Sequence, residues 1–412
     1  MNVCSIEWVV CLLLLSAVFF LIPGVRERQA FLCVCNVAFV ATMIPNFAGW
    51  CALAGFLGIG FIAARVLLSR PRKWILVVYL VVLLAAFIIF KRYVFAKVLL
   101  PAALFRTIVA TVGWSYMLFR QIQVVVDVYQ GQIERLPLWN YLNFQLNIFG
   151  FVAGPIQRYE EFREHWKDLK PILSDAESVL RAYLRIFIGA IKMGLLGGFC
   201  FNSFTTCKNL LADPDRAAQM THLHRVLLFL VIFYTYPIYI YLNFSGYCDM
   251  IIGGASLFGI RMPENFDRPY LSRNMIEYWT RWHRTLGFWI RDYVFTPLYK
   301  AIAGHWPQKA ASLAFLCYFV AFFLAGVWHG STWNFIIFGV LNGLGSSATK
   351  LWETFLVRKV GRPGLRSYLQ NASVRAAAIF ITVNYACLTI YFFRPELGLS
   401  YSMVKNIFAP HL

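Results

Sequence analysis

An all-α polytopic membrane protein is the fold class this sequence predicts, and three observations predict it. Of 412 residues, 60% are hydrophobic and only 14% are charged, too little charge to cover a soluble surface of that size. Apolar runs of roughly 17 to 22 residues recur, the length at which a helix crosses a bilayer. The net charge of +19 sits mostly in short segments between those runs, as positive-inside topology and attraction to anionic lipid require, so nucleic acid is not read as a partner. Open sheets are excluded, because backbone groups in lipid have no water to bond.

The elements follow in order. Ile6 to Ile22 is a first span ending at Pro23-Gly24; it lacks a basic leading segment and is not read as a cleaved signal. Ala30 to Ile44 and Phe47 to Leu68 follow, separated by Pro45-Asn46. Arg26 and Arg28 before this pair, and Arg70, Arg72 and Lys73 after it, put both basic loops in the cytoplasm and the amino terminus outside. Trp74 to Phe90 is the fourth span; Lys91, Arg92 and Lys97 then fall outside, so either they snorkel or one segment is re-entrant. Arg106 to Val126 is a weaker span whose Arg120, Gln121 and Gln123 turn toward protein.

Tyr141 to Gly154 is too short to cross and reads as re-entrant or interfacial, and Glu160 to Leu173 as an interfacial amphipathic helix. Val179 to Phe201 is a glycine-bearing span, Asn202 to His224 an outside loop, and Val226 to Asn243 a further span followed by a short Gly-rich piece to Ile260. His222 and His224 have no acidic or cysteine partner nearby, and the ten cysteines show no zinc spacing, so no metal is expected. Arg261 to Lys300 is cytoplasmic, Leu313 to Val327 and Thr332 to Leu351 form a helical pair, and Lys350, Arg358, Lys359, Arg362 and Arg366 return the chain to the cytoplasm. A last span, Ala376 to Phe393, brings the tally to ten or eleven transmembrane helices in a single domain over 1–412: peripheral helices to 100, a motif-bearing core over 101–393, and a short tail.

Chemistry concentrates between Phe244 and Trp333. Asn274 with Glu277 has the spacing of a capping box, and Trp279, Trp282, His283, Leu286, Trp289, Ile290 and Tyr293 then recur at helical spacing as one apolar stripe. His283 lies on that stripe, either as a packed core residue or as part of a reaction centre. His329 stands between Gly326 and Gly330 amid apolar residues, where the helix is expected to break; a neutral imidazole there can serve as general base or as a hydrogen bond between helices. Asp249 is a third intramembrane polar candidate, for catalysis or for pairing with an arginine, and Trp328, Arg281 and Asn334 complete the candidate supporting residues. No Gly-x-Ser-x-Gly elbow, phosphate loop or His-x4-Asp pattern is present.

Five stretches resemble the membrane-bound O-acyltransferases, in particular the bacterial branch that modifies alginate and teichoic acid. They are VVDVYQG from Val125, GFVAGPIQRYEEF from Gly150, FSGYCDM from Phe244 with PENFDRPYLS after it, YWTRWHRTLGFWIRDY from Tyr278, and GVWHGSTWNFIIFG from Gly326. The resemblance implies that His329 is the family's intramembrane histidine and His283 its second one. It implies a ring of tilted helices with a central passage. The acyl donor, a thioester such as acetyl-CoA, would arrive from the cytoplasm; the acceptor would be a cell-surface polysaccharide or a periplasmic SGNH-type acetyltransferase. It implies no tightly bound cofactor and a place in the bacterial inner membrane. Tyr299-Lys300 replaces the Gly-Gly-Asn-Arg that alginate-type members carry after Pro-Leu. D-alanyl transfer from a carrier protein to teichoic acid is therefore the alternative cargo, and a lipid or glycan transporter with a histidine proton relay the alternative class.

Overall fold

The computed structural model describes residues 6–44, 46–91, 114–172, 175–330, 332–394, 403 and 405–407. Among them the structure is helical, with one isolated antiparallel bridge, Phe266 to Trp282, and no named strand. Four helical runs, Phe47–Ser69, Ala176–Ala212, His222–Leu257 and Ala372–Tyr391, are long and apolar enough to cross a membrane; Glu7–Leu21, Lys73–Ile89 and Leu313–His329 are shorter apolar helices. Leu14, Ile59, Val81 and Phe199 stand exposed on such helices, as side chains facing lipid do. Arg92, Lys97, Ser331 and the start of the predicted span at Arg106 lie outside the described residues. Contacts divide the chain into two compact units, Met1–Ala190 with Tyr247–Glu264, and Ile191–Gly246 with Asn265–Leu412.

The first unit holds α1 (Ile6–Leu21), α2 (Val25–Ala41), α3 (Phe47–Ser69), α4 (Lys73–Lys91), α5 (Trp114–Tyr129), α6 (Leu138–Leu146), α7 (Tyr159–Lys167) and α8 (Ala176–Ala190). The polar residues of α5 do turn inward. The Arg120 guanidinium is buried and donates to the carbonyls of Phe144 and Gln145 at 2.8 Å, and to Asn147 at 3.4 Å. The Phe144 and Gln145 carbonyls belong to the last turn of α6, and a cation is what the negative end of a helix attracts. Gln121 donates to the Phe56 carbonyl at 2.9 Å, and its Oε1 lies 2.7 Å from the Tyr141 hydroxyl; Gly60 leaves the space this amide occupies. The nine-residue α6 is too short to cross, and α7 buries Tyr159, Phe162 and Trp166 on one face, as predicted for both segments, though α7 stops at Lys167.

In the second unit the sequence reading needs four corrections. The segment read as a loop from Asn202 is helical: after a π-helical turn, Ile191–Gly197, α9 (Gly198–Ala212) continues until Asp213-Pro214. No glycine or proline interrupts Asn202–Ala212, so the helix propagates. Asp213 then caps the short α10 (Pro214–Ala218), accepting from the amides of Asp215 and Arg216. The span and the Gly-rich piece predicted separately form one helix, α11 (His222–Leu257), with Pro237 inside it; its end, from Tyr247, belongs to the first unit, where Gly253 lets the backbone of Ala182 approach. Third, the stripe from Met275 to Tyr293 is not one helix: α12 (Met275–Arg281) and α13 (Arg284–Ile290) are separated at Trp282-His283, followed by a π-helical turn and α14 (Thr296–His305).

Fourth, the helix read as ending at Leu351 continues through the basic residues that follow it. α15 (Ala310–His329) and α16 (Trp333–Gln370) form a hairpin, and α16 runs through Arg358 and Lys359 before Gly361, at φ +72°, interrupts it. Lys and Arg are good helix formers whose stems lie along apolar surface while their charges reach water. α17 (Ala372–Tyr391) follows, capped by Asn371. The hairpin is drawn together by glycines: a Cβ at Gly326 would sit 2.5 Å from the Gly339 nitrogen, and one at Gly343 would sit 3.0 Å from the Phe319 carbonyl. Small residues let two helix backbones meet in lipid, where no hydrophobic force drives them together.

Candidate active site

The site is built from the break in the 275–293 segment. Asn274 caps α12 as its spacing predicts, accepting from the Glu277 amide at 2.8 Å, while the Glu277 carboxylate accepts from the Arg273 amide at 3.0 Å. Glu277 also holds Arg281 at 2.7 Å and the Arg273 guanidinium at 2.9 Å. Burial works to raise the Glu277 pKa, but the Arg273 hydrogen bonds and the two guanidinium charges outweigh it and leave it below the ordinary glutamate value. Arg281 is thus engaged at the foot of α12, its guanidinium committed to the carboxylate.

The helix ends there because a neighbouring strand-like segment captures its backbone. Asp267 donates its amide to the Arg281 carbonyl and Arg284 donates to the Asn265 carbonyl, each at 2.9 Å. Between these bonds His283 is forced into the left-handed region, φ +47° and ψ +49°. A side chain there costs roughly 1–2 kcal/mol, a conformation retained only where the surroundings over-determine it. His283 is 1% exposed. Its Nδ1 lies 3.1 Å from Asn265 Oδ1, which also receives the Thr285 hydroxyl at 2.9 Å and the Thr285 amide at 3.3 Å. The Phe244 ring stands edge-on at 4.9 Å, and no group among the described residues bonds His283 Nε2. Burial pushes the His283 pKa well below the ordinary histidine value, and the charge of His329 pushes it further.

His329 is the last residue of α15, and Gly330 leaves the helix in an extended conformation, as the flanking glycines predict. Its ring is walled by Trp328 at 4.7 Å, Phe393 at 4.9 Å and Phe338 at 5.9 Å. Both imidazoles belong to the second unit, although they are far apart in sequence. Asn334, in the first turn of α16, is buried and donates its amide to the Arg394 carbonyl, which fixes the segment carrying Phe393. Arg394 lies over the rings of Tyr391, Phe204 and Tyr236 at 4.3, 5.2 and 5.3 Å. A cavity of about 180 Å³ is lined by Trp279, Phe288, Phe295, Tyr318 and Phe322, and the Trp279 ring lies 6.4 Å from that of Phe338.

Asp249 takes the pairing role. It belongs to the first unit, where Arg185 lies 3.1 Å from it and also grips Glu264 with two bonds of 2.6 and 2.5 Å. Sequence reasoning missed Asn265, Thr285, Phe244 and Phe393. Pro263-Glu264-Asn265-Phe266 was conspicuous as a motif, but nothing in it signals that its asparagine reaches across 18 residues to a histidine. No group of three or more metal-ligating side chains gathers among the described residues.

The chain is 26% identical over 330 residues to the teichoic acid D-alanyltransferase of Streptococcus thermophilus, covering 79% of this chain and 76% of the relative. It is 29% identical over 288 residues to that of Bacillus subtilis, covering 69% of each. It is 25% identical over 357 residues to a probable alginate O-acetylase, AlgI, of Pseudomonas aeruginosa, covering 79% of this chain and 61% of the relative. The sequence model of the membrane-bound O-acyltransferases matches residues 67–392, and with most of its length so matched the chain belongs to the membrane-bound O-acyltransferase (MBOAT) family.

Proposed function

We propose that this enzyme transfers an acetyl group from a cytoplasmic thioester, acetyl-CoA, to a hydroxyl of an extracytoplasmic polysaccharide, directly or through a periplasmic SGNH-type acetyltransferase, and that it does so in a bacterial inner membrane. The observation that carries this reading is the pair of imidazoles, His283 and His329, held in one unit and each faced by aromatic rings. Phe244, Phe338, Phe393 and Trp328 crowd them at 4.7–5.9 Å. Such walls suit a two-carbon acyl group better than a long chain.

His329 takes the proton of the attacking hydroxyl as its oxygen bonds the thioester carbonyl carbon. The C–S bond then breaks, the thiolate leaves, and the proton passes to it from the imidazolium. His283 holds the thioester side. General base catalysis of this kind is worth about 10²–10⁴-fold; positioning two reactants in a dry site supplies more. Trp328 and Asn334 shape and brace the wall around His329.

A second reading, D-alanyl transfer from a carrier protein to teichoic acid, is favoured by one observation: the chain covers 76% and 69% of two D-alanyltransferases, but 61% of the alginate protein. Purified enzyme in liposomes, given acetyl-CoA or a D-alanyl-loaded carrier, decides between them by which thioester it consumes in a His329-dependent way. Turnover of neither thioester would refute both and leave a transporter as the surviving alternative.

A further inference from the structure

We infer that Asn265 is a positioning residue that holds His283 as the Nδ1–H tautomer, so that Nε2 meets the substrate as a hydrogen-bond and proton acceptor. The assignment follows from donor counting. The Thr285 backbone amide can only donate, and it points at one atom of the Asn265 side chain, 3.3 Å away. That atom is therefore the carbonyl oxygen and not the NH2, whichever way the amide is drawn. The Thr285 hydroxyl reaches the same oxygen at 2.9 Å. An oxygen cannot donate, so His283 Nδ1, 3.1 Å from it, must carry a hydrogen and give it. A neutral imidazole has one N–H, and Nε2 is left with its lone pair.

The backbone enforces the pairing. The Asn265 carbonyl receives the Arg284 amide at 2.9 Å, which clamps Asn265 beside the left-handed turn at His283. Asn265, His283 and Thr285 are 1%, 1% and 6% exposed, so water does not compete for these bonds. An amide oxygen also does to the ring what a carboxylate would not: it orients the imidazole without stabilising the imidazolium as a full negative charge does. The other groups around the ring leave that balance undisturbed. Phe244 is uncharged, Glu277 is neutralised by Arg273 and Arg281, the Arg284 guanidinium lies over the Phe288 ring, and His329 acts against protonation. His283 consequently enters a reaction cycle able to accept a hydrogen bond or a proton at Nε2, and unable to donate one there until it has gained one.

The inference rests on the proposed acyl transfer only for its kinetic consequence, and the test separates the two. Full-length protein labelled with 15N-histidine in liposomes is compared with His283→Gln, so that the difference spectrum belongs to His283. We expect a protonated Nδ1 and an unprotonated Nε2; a protonated Nε2 in the neutral ring overturns the inference. Asn265→Leu, similar in size and without an acceptor, should abolish this tautomer preference and lower kcat at least about tenfold, the tautomer error in a serine protease costing about 10⁴-fold. Asn265→Asp keeps the acceptor. It should retain the Nδ1–H signature, recover more activity than the leucine variant, and move the acid limb of kcat/KM to higher pH by stabilising the imidazolium. Should Asn265→Leu fail to fold, the spectrum of the wild type and the limb shift of Asn265→Asp still decide. The expected tautomer with unaltered turnover in Asn265→Leu would refute the role given to His283 in acyl transfer and leave the tautomer assignment standing.

Discussion

Gly326→Ala tests whether the distance between two helices sets the reaction. A Cβ at Gly326 would lie 2.5 Å from the Gly339 nitrogen, where ordinary van der Waals contact begins at 3.4 Å. The Cβ position is fixed by the main chain of α15 and the nitrogen belongs to the main chain of α16, so neither can rotate away. The hairpin must part by about 1 Å, since repulsion rises steeply below contact. His329 follows Gly326 within one helical turn and moves with α15, while Phe338, beside Gly339, moves with α16. Overpacking of this kind costs about 1–3 kcal/mol of stability, which leaves the protein folded. Misplacing a reacting group by about 1 Å costs about 10²-fold in rate. Turnover of the thioester by Gly326→Ala in liposomes should thus fall about a hundredfold at 25 °C, with only a modest drop in melting temperature. Gly55→Ala is the control: nothing lies within 4 Å of a Cβ there, and both activity and stability should hold. Activity of Gly326→Ala within twofold of wild type would refute the claim that the glycine contact positions His329.

Three further outcomes are expected. His329→Ala should abolish transfer while the protein keeps its elution profile in detergent, and His283→Ala should cripple it; because groups acting as a unit are strongly non-additive, the double variant should be scarcely worse than the more damaged single, and fully additive losses in kcat/KM would break the shared site. Glu277 carries a lowered pKa, so its contribution to stability is full above the ordinary glutamate value of about 4.3 and is lost as pH falls through the lower folded value; Glu277→Gln should lower the melting temperature at pH 7 and lose that deficit towards pH 3, and a deficit independent of pH would show that the arginine contacts are not responsible. Cysteine placed at Arg273, in a background without reactive cysteines, should resist an impermeant thiol reagent added to intact cells, since positive-inside topology puts that segment in the cytoplasm; ready labelling would reverse the donor side.

The helices were legible where hydropathy and breakers agree. Pro23-Gly24, Asn46 and Gly330 end or begin elements where the sequence puts them. The short α6 and the amphipathic α7 were readable from length and face. Helix ends were misread where polarity was taken for an end: Asn202–Ala212 and Arg358-Lys359 stay helical because no backbone signal stops them. The opposite error fell on His283. Its apolar periodicity is real, since Trp279, Leu286, Trp289 and Ile290 are all buried. Yet backbone hydrogen bonds from Asn265 and Asp267, remote in sequence, outcompete the helix at that point. Periodicity reports which face is covered and carries no information on a non-local partner. The two histidines stand out as candidates by type and setting; Asn265 became visible only when the fold brought it to the ring.

The wall beside His329 has a history in time as well as a place in space. Phe393 and the Arg394 carbonyl that Asn334 grips come after α17, whereas His329 precedes it. During synthesis the histidine emerges before the ring that covers it, and Asn334 waits for a carbonyl not yet made. Beyond Arg394, Asn406 donates to the Leu211 carbonyl and receives Arg225 at its own, tying the later chain back to α9 and α11. A ribosome-bound intermediate that has inserted α15 and α16 therefore lacks one side of its reaction centre. The wall around His329 is complete only once the chain that follows α17 has been made.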